Sequence, residues 1–293
     1  MMSDNLNYNL QAVMRRMHEH NHQLATGRRV RHPSDDPVAV ESIMRLKSLV
    51  SETEQYLDNV RDGLSWLSFT DSALSQIGEG LQRARELAVY GATGTLTPQD
   101  RETIAMELEL IRADILETGN ARMIDRYIFG GNRTDQPPFV DDNGTPVYQG
   151  SPGKNSGSHG GTVAYEVSPG VMVEIAVHGD DAILPALEAL DRLSAALRAD
   201  DSDEINAALG DVDDALQELL LWRAEVGARM NRMELARERL SENRENVTSL
   251  LSDKQDIDVA ETIMKLKLEE NVYRSALAVG ARILQPTLMD YLR

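Results

Sequence analysis

Apolar residues recur at alternating steps of four and three near both ends of this chain of 293 residues. Such spacing places side chains on one face of a helix, where they must find a partner. The stripe near the start contains Leu6, Leu10, Val13, Met17 and Leu24. The stripe near the end contains Val259, Ile263, Leu266, Tyr273, Leu277, Leu284 and Leu288. Because the sequence assigns neither stripe a partner within the chain, we expect both ends to fray in a monomer and to pair as a coil in a polymer.

Composition favours helix packing over a compact fold around an active site. Hydrophobic residues make up 41% of the chain but aromatic residues only 4%, so aliphatic side chains supply the apolar mass. The formal net charge of −18 argues against binding to nucleic acid or to an anionic membrane, because both repel acidic proteins. Residues 200–218 contain eight carboxylates and no Lys or Arg, which we interpret as a solvated helix face.

Several classes of protein are disfavoured by what the chain lacks. It has no cysteine, which removes disulfides, thiol catalysis and cysteine-based metal sites. No stretch approaches the roughly 18 apolar residues that span a bilayer. The first seven residues have neither the basic nor the apolar region of a Sec signal peptide, so export would need another route.

Helix boundaries can be predicted in the first half. The first helix should end near Ala25, because Gly27 follows and glycine is the usual left-handed terminator. The second helix should begin at Asp36 as its N-cap and Pro37 as its first residue, and end near Gly91. The pair Asp35 and Asp36 also fits two catalytic carboxylates, but the proline directly after it favours capping.

The sequence pattern changes from helical to β-like between residues 127 and 181. Short β-like runs alternate there with Gly, Pro, Asn and Asp, and we expect residues 151–161 to form a mobile, solvent-facing loop. Helical periodicity returns over residues 205–251. The sequence therefore predicts a mainly α fold, a long antiparallel coiled-coil rod formed by the N- and C-terminal halves, with a small β-rich insert. The predicted domains are 1–35 with 255–293, 36–126 with 182–254, and the insert 127–181.

The apolar stripes of the two long helices predict which residues of one helix lie beside which residues of the other. Placing Ile43 beside Leu251 and Ala88 beside Ile205 aligns their apolar stripes. In that register Asp71 lies opposite Arg223, and such a charge pair at a seam fixes register while adding little net stability. The alternative is that both side chains turn outward and never meet.

No constellation of residues predicts catalysis. His18 and His22 lie one helical turn apart beside Glu19, but two ligands without a third are weak evidence for a metal. A Gly-Lys pair at residues 153–154 lacks the spacing of a phosphate-binding loop. We therefore predict no enzyme activity, no cofactor and no metal site.

Several motifs together resemble the flagellin superfamily. Gly27 lies in the segment Leu-Ala-Thr-Gly-Arg-Arg-Val, and Asp35, Asp36 and Pro37 lie in Pro-Ser-Asp-Asp-Pro-Val a few residues later. Residues 125–131 read Asp-Arg-Tyr-Ile-Phe-Gly-Gly, with Tyr127 and Phe129 as the aromatic members. The chain closes on Leu-Met-Asp-Tyr-Leu at residues 288–292. The Ser-Asp-Asp-Pro form, the Tyr-Ile-Phe-Gly-Gly segment and this ending are similar to the hook–filament junction branch of the superfamily.

The resemblance implies a structural adaptor of the bacterial flagellum, which joins the hook-associated layer to the filament by coiled-coil polymerisation. The implied partners are the first hook-associated protein, flagellin, further copies of the chain, and an export chaperone of the FlgN type at the C-terminal region. The implied location is extracellular, after type III export without a Sec signal. The alternatives are a helical type III translocator or adhesin-like protein, and a flagellin proper.

Overall fold

The computed structural model describes residues 2–30, 36–93, 96–142, 145–153 and 162–283. In this part of the chain, seven helices and six short strands follow one another. The helices are α1 (Met2–Thr26), α2 (Pro37–Gly91), α3 (Pro98–Gly119), α4 (Gly179–Ala182), α5 (Leu184–Ala199), α6 (Ser202–Gln255) and α7 (Val259–Ile283). The strands are β1 (Arg122–Met123), β2 (Arg126–Tyr127), β3 (Phe139–Asp142), β4 (Thr145–Tyr148), β5 (Ala164–Ser168) and β6 (Val171–Glu174). The predicted mainly α fold with a small β-rich insert is confirmed.

The helix ends follow from local chemistry. Gly27 closes α1 with φ of +69°, a left-handed conformation that glycine adopts without strain. At the start of α2, the backbone N–H of Ala39 donates to Asp36 Oδ1 at 3.0 Å, so the Asp36 side chain acts as a cap. At the start of α3, Thr97 and Asp100 form a capping box, and Pro98 takes the first helical position.

The strands of the insert form three separate antiparallel hairpins, β1–β2, β3–β4 and β5–β6. The start of the loop expected over residues 151–161 is less exposed to solvent than the sequence predicts, because Ser151 and Gly153 are buried. The backbone N–H of Gly153 donates to Asp180 Oδ2 at 2.8 Å, which ties this segment to α4. The expectation of a solvent-facing loop over 151–161 is therefore wrong for Ser151 and Gly153, and residues 154–161 lie outside the described part of the chain.

Contacts group the chain into two compact units, residues 1–53 with 242–293, and residues 54–241. Both boundaries fall inside long helices, α2 and α6, and the hairpins belong to the second unit. The three-part division expected from the sequence therefore differs from the grouping by contacts.

Within the unit of residues 54–241, four helices surround one hydrophobic core. Ion pairs show the neighbours of α6: Arg223 with Asp71 on α2, and Arg192 on α5 with Asp211. Ion pairs also show the neighbours of α3: Glu107 with Arg83 on α2, and Glu109 with Arg198 on α5. The largest fully buried side chains of this core include Leu67, Leu74, Ile77, Leu81, Leu108, Leu187 and Leu190.

The acidic run over 200–218 is more than a solvated face. Asp200 pairs with Arg101, Asp211 with Arg192, and Asp213 with Arg85, and each arginine comes from another helix. Asp201 accepts hydrogen bonds from the first backbone N–H groups of α6. The run is therefore a solvent-exposed face that also carries ion pairs between helices. The spacing in the sequence does not show these pairs, because the arginines come from other helices.

None of the helices in the described part of the chain is long and apolar enough to cross a membrane.

Candidate assembly surfaces

In the unit of residues 1–53 and 242–293, α1 and α7 pack against each other in antiparallel directions. Leu6, near the start of α1, lies against Gly280, where a Cβ atom would approach the Leu6 Cδ2 to 2.6 Å. Arg16, ten residues after Leu6 on α1, pairs with Glu269, eleven residues before Gly280 on α7. Beyond the helix ends, Arg29 N–H donates to the Gln255 carbonyl at 2.8 Å. The two ends of the chain are therefore joined along their length.

The apolar stripes expected to lack an intrachain partner partly cover each other. Val13 and Leu266 are buried. Half-buried positions on the same two stripes are Leu6, Leu10, Met17, Leu24 and Tyr273. Val259, Ile263 and Leu277 are exposed, while Leu284 and Leu288 lie outside the described residues. The expectation that neither stripe has a partner within the chain is wrong, because each stripe is the partner of the other.

The ion pair between α1 and α7 is bidentate. Arg16 Nε donates to Glu269 Oε1 at 2.7 Å, and a second guanidinium nitrogen donates to Oε2 at 3.1 Å. The hydrogen bond from Arg16 lowers the pKa of Glu269, and the same bond raises the pKa of Arg16. Because the pair lies at the surface, it orients the two helices more than it stabilises them.

A second apolar face on α7 is not covered by any other part of the described chain. It contains Met264, Leu268, Val272 and Val279, all of them exposed. The first three are four residues apart, which keeps them on one side of the helix, away from the side that Leu266 and Gly280 turn towards α1. A helix that is apolar on two faces needs two partners, and only one lies within the described chain. This second face was not predicted from the sequence, although Met264, Leu268 and Val272 show the four-residue spacing of one side of a helix.

The motif residues of the N-terminal segment lie where the two ends of the chain meet. The carbonyl of Gly27 accepts a hydrogen bond from Ile257 N–H at 3.1 Å. Asp36 and Pro37 cap and begin α2, while Asp35 lies outside the described residues. These residues shape the backbone rather than line a pocket.

The aromatic motif residues organise the insert. Phe129 is fully buried, and its carbonyl accepts hydrogen bonds from the Tyr148 hydroxyl at 2.9 Å and from Gly179 N–H at 3.0 Å. Burial raises the pKa of that Tyr148 hydroxyl well above its usual range. Tyr127 is half-buried, with the Arg122 guanidinium 5.1 Å above its ring.

The structure brings Asp71 and Arg223 into contact, with Arg223 Nε donating to Asp71 Oδ1 at 3.1 Å. Nearby, a Cβ at Gly78 would lie 3.3 Å from Leu219. Helical side chains lean towards their own N-terminus, so Leu219 covers a point slightly further along α2 than its Cα. This contact is compatible with the antiparallel register that the sequence predicts; whether the ion pair fixes that register stays a proposal.

Among the described residues, no group of three His, Asp or Glu side chains is placed to hold a metal ion. His18 and His22 are both exposed on α1, and His22 has an interaction partner of its own.

Terminal helices that pair with each other and still expose a second apolar face define a structural subunit of a helical assembly. The comparisons agree with this class. The family model for the bacterial flagellin N-terminal helical region matches residues 1–133, and the model for the flagellin C-terminal helical region matches residues 209–292. The chain belongs to the flagellin superfamily.

Three relatives are hook-associated proteins of that superfamily. The chain is 27% identical to flagellar hook-associated protein 3 of Escherichia coli K12 over 87% of this chain and 86% of the relative. It is 36% identical to flagellar hook-associated protein 3 of Salmonella typhimurium LT2, over 44% of this chain and 40% of the relative. A solved flagellar hook-associated protein from Vibrio parahaemolyticus matches with a TM-score of 0.68 and 26% identity, covering 76% of this chain and 100% of that one.

Proposed function

We propose that this chain is a structural adaptor of the bacterial flagellum, the junction between the hook-associated layer and the flagellin filament. The observation that carries the proposal is the paired α1 and α7 with a second apolar face on α7. A face of this kind is satisfied only when another helix covers it, as happens in a polymer. The match to hook-associated protein 3 along most of both chains supports the junction role within the superfamily.

The junction role is favoured over that of a flagellin proper by the insert segment that carries Tyr127 and Phe129. Phe129 is buried at the centre of the insert, so the segment is part of the fold rather than a variable surface. The two flagellin family models, which match residues 1–133 and 209–292, favour this role over the translocator or adhesin-like alternative. A structural adaptor needs no catalytic group, and we propose that the chain is not an enzyme.

The proposed neighbours are the first hook-associated protein on one side, flagellin on the other, and copies of the chain within the layer. An apolar surface such as Met264, Leu268 and Val272 also needs cover before assembly, since exposed patches cause aggregation. We propose that an export chaperone of the FlgN type supplies this cover at the C-terminal region. We propose that the final location is extracellular, after type III export.

A strain that lacks this chain tests the role. The expected phenotype is a non-motile cell that carries a hook and sheds flagellin into the medium. Re-expression of the intact chain should restore filaments, and a variant with Leu268→Glu and Val272→Glu should be produced but fail to do so. Filaments of normal length in the deletion strain would contradict the junction role.

A further inference from the structure

A groove between α2 and α3 lies open on the unit of residues 54–241. Its volume is about 870 Å³. Its apolar wall contains Phe69, Ala73, Gly80, Ile111 and Ile115. Carboxylates of Glu79, Asp114 and Glu117 line its rim, and none of the three is paired with a described residue. Arg83 and Arg122 also line the groove, but both are paired with carboxylates of the same chain, Arg83 with Glu86 and Glu107, and Arg122 with Asp125. The groove is therefore apolar inside, and the unpaired charges at its edge are acidic.

The outer face of α6 carries exposed apolar side chains. It is an exposed stripe, here called the α6 outer stripe, made of Leu221, Ala224, Ala228 and Leu235. Leu221 and Leu235 are 66% and 62% exposed, which is unusual for leucines on a helix whose other side is packed. The opposite side of α6 contributes Leu219, Val226 and Met233 to the core.

The two surfaces match in length and in charge. The groove runs from Phe69 to Arg83 and the stripe from Leu221 to Leu235, each about 21 Å at ~1.5 Å per residue. Exposed Arg232 and Arg239 border the stripe and pair with no described residue. Glu225 lies on the same border but pairs with Arg229 of its own helix, and Glu234 and Glu238 lie on the other border. The unpaired charges of the first border are therefore basic, and this border complements the acidic rim.

The surfaces also lie on different sides of the unit. α6 has α2 and α5 as its neighbours, and α3 has the same two neighbours, so α3 and α6 are diagonal in the four-helix arrangement. The α2–α3 groove and the α6 outer stripe therefore cannot meet within one chain. Two complementary surfaces on different sides of one molecule produce a heterologous contact, which repeats into a ring or a helical layer.

We propose that the α6 outer stripe of one copy docks into the α2–α3 groove of the next copy, an inference that rests on the proposed assembly role. Copies in one layer point the same way, so the docked α6 runs antiparallel to α2, as α6 does within a chain. Aligning the equal lengths places Ala228 of one copy beside Gln76 of the next. Both residues are exposed.

The same alignment predicts one charge pair between copies. Gly80 of α2 lies against Ile111 and Ile115 of α3, so Glu117 falls close to the level of Gln76. Arg232 is one turn beyond Ala228, and its side chain leans back over that turn. Glu117 of one copy and Arg232 of the next should therefore meet.

The absence of cysteine makes cross-linking a clean test. Within one chain, Gln76 is level with about residue 218, roughly 15 Å along the helix from Ala228, too far for a disulfide. Flagella sheared from cells that produce Q76C/A228C should give a ladder of covalent multimers on oxidation. Each single variant should give no ladder, and a mixture of the two should give dimers. The matched control E188C/A228C, which places its first thiol on α5, should also give none.

Charge exchange tests the orientation. E117R and R232E should each reduce the ladder formed by Q76C/A228C, and the two changes together should restore it. E188R, on an exposed carboxylate outside the groove, should leave the ladder unchanged. A loss with both single changes that the double change does not recover would overturn the predicted pair.

The outcomes separate this inference from the proposed function. If the variant is present in the flagella but forms no ladder, or is cross-linked only to a different protein, docking between copies is overturned while the junction role stands. If the natural chain is absent from the flagella, the junction role fails. The cross-link is then measured on the concentrated full-length chain, where a ladder supports the contact and its absence overturns it.

Discussion

Asp71 and Arg223 offer a direct test of the register between α2 and α6. Their side chains are 39% and 33% exposed, so solvent screens much of the attraction and the pair contributes at most about 1 kcal/mol. Asp71→Arg places two guanidinium groups together and should lower the free energy of unfolding by about 1 kcal/mol. Adding Arg223→Asp should recover much of that loss. Trp66 and Trp222, both buried in the same unit, report the unfolding in urea by fluorescence. Simple additivity of the two single changes would show that the pair does not couple the helices.

Replacement of glycine by alanine should have opposite effects on the free energy of unfolding at Gly130 and at Gly210. A Cβ at Gly130 would collide with the backbone carbonyl oxygen of Arg133, and backbone cannot move aside as a side chain can. Gly130→Ala should therefore destabilise the unit by about 2 kcal/mol or more. Gly210, in the interior of α6, has open space around its Cα, so Gly210→Ala should stabilise by about 0.5–1 kcal/mol through helix propensity. Urea unfolding of both variants checks the contrast, and equal effects of one sign would contradict it.

At the scale of elements, periodicity predicted most of the helices. Gly27 and Asp36 marked the end of α1 and the start of α2 because glycine and N-cap chemistry are local, and local chemistry can be read from sequence. The region of the hairpins was predicted where short β-like runs alternate with turn residues, but β1 lies before the expected start of the insert at residue 127, because a strand of two residues shows no alternation. The contact of α1 with α7 was not predicted within the chain, since nothing in a stripe identifies which other stripe covers it.

The candidate site was predictable to a similar degree. The stripe residues were identified by their spacing. The second face of α7, with the exposed Met264 and Leu268, was not predicted because a longer apolar stripe on the same helix already accounts for its periodicity. The α2–α3 groove was not predictable, because it depends on how far Gly80 lets α3 approach α2. Such distances are set by packing between elements rather than by the pattern along either one.

The pairing of α1 with α7 should depend on pH through Glu269. Its pKa is lowered in the folded chain, chiefly by the hydrogen bond from Arg16, so its contribution is complete above the unfolded pKa of about 4.3. That contribution is lost as the pH falls through the lower folded pKa. Hydrogen exchange of α1 amides should therefore show less protection in Glu269→Gln than in the natural chain at pH 6, and a smaller difference at pH 3.

A matched control lies next to it. The pKa of Glu270 is also lowered, but by Lys267 of the same helix. Glu270→Gln should leave the protection of α1 unchanged, because no contact between helices is lost. Equal loss of α1 protection in the two variants would show that the charge of α7, rather than the Arg16 contact, holds the helices together.

At the scale of the whole molecule, the formal charge of −18 opposes association of any two copies. The Debye length falls from about 30 Å at 0.01 M salt to about 8 Å at 0.15 M, so salt screens this repulsion between whole molecules. A close pair such as the proposed contact of Glu117 with Arg232 should be screened less, because its two groups would touch. Self-association of the purified full-length chain should therefore increase with salt over this range, as measured by light scattering.

Replacement of Asp214 and Glu218 tests whether the repulsion between copies comes from the net charge or from particular ion pairs. Asp214 and Glu218 form no ion pair with a described residue, and they lie outside the α2–α3 groove. Replacing them by Asn and Gln removes two negative charges without breaking Arg85–Asp213 or Arg192–Asp211, so the salt needed for association should fall. Replacing Asp213 instead removes charge but also breaks the contact of α6 with α2, and should lower the free energy of unfolding. Association that weakens with salt in the natural chain would instead show that attraction between specific charges outweighs the net repulsion.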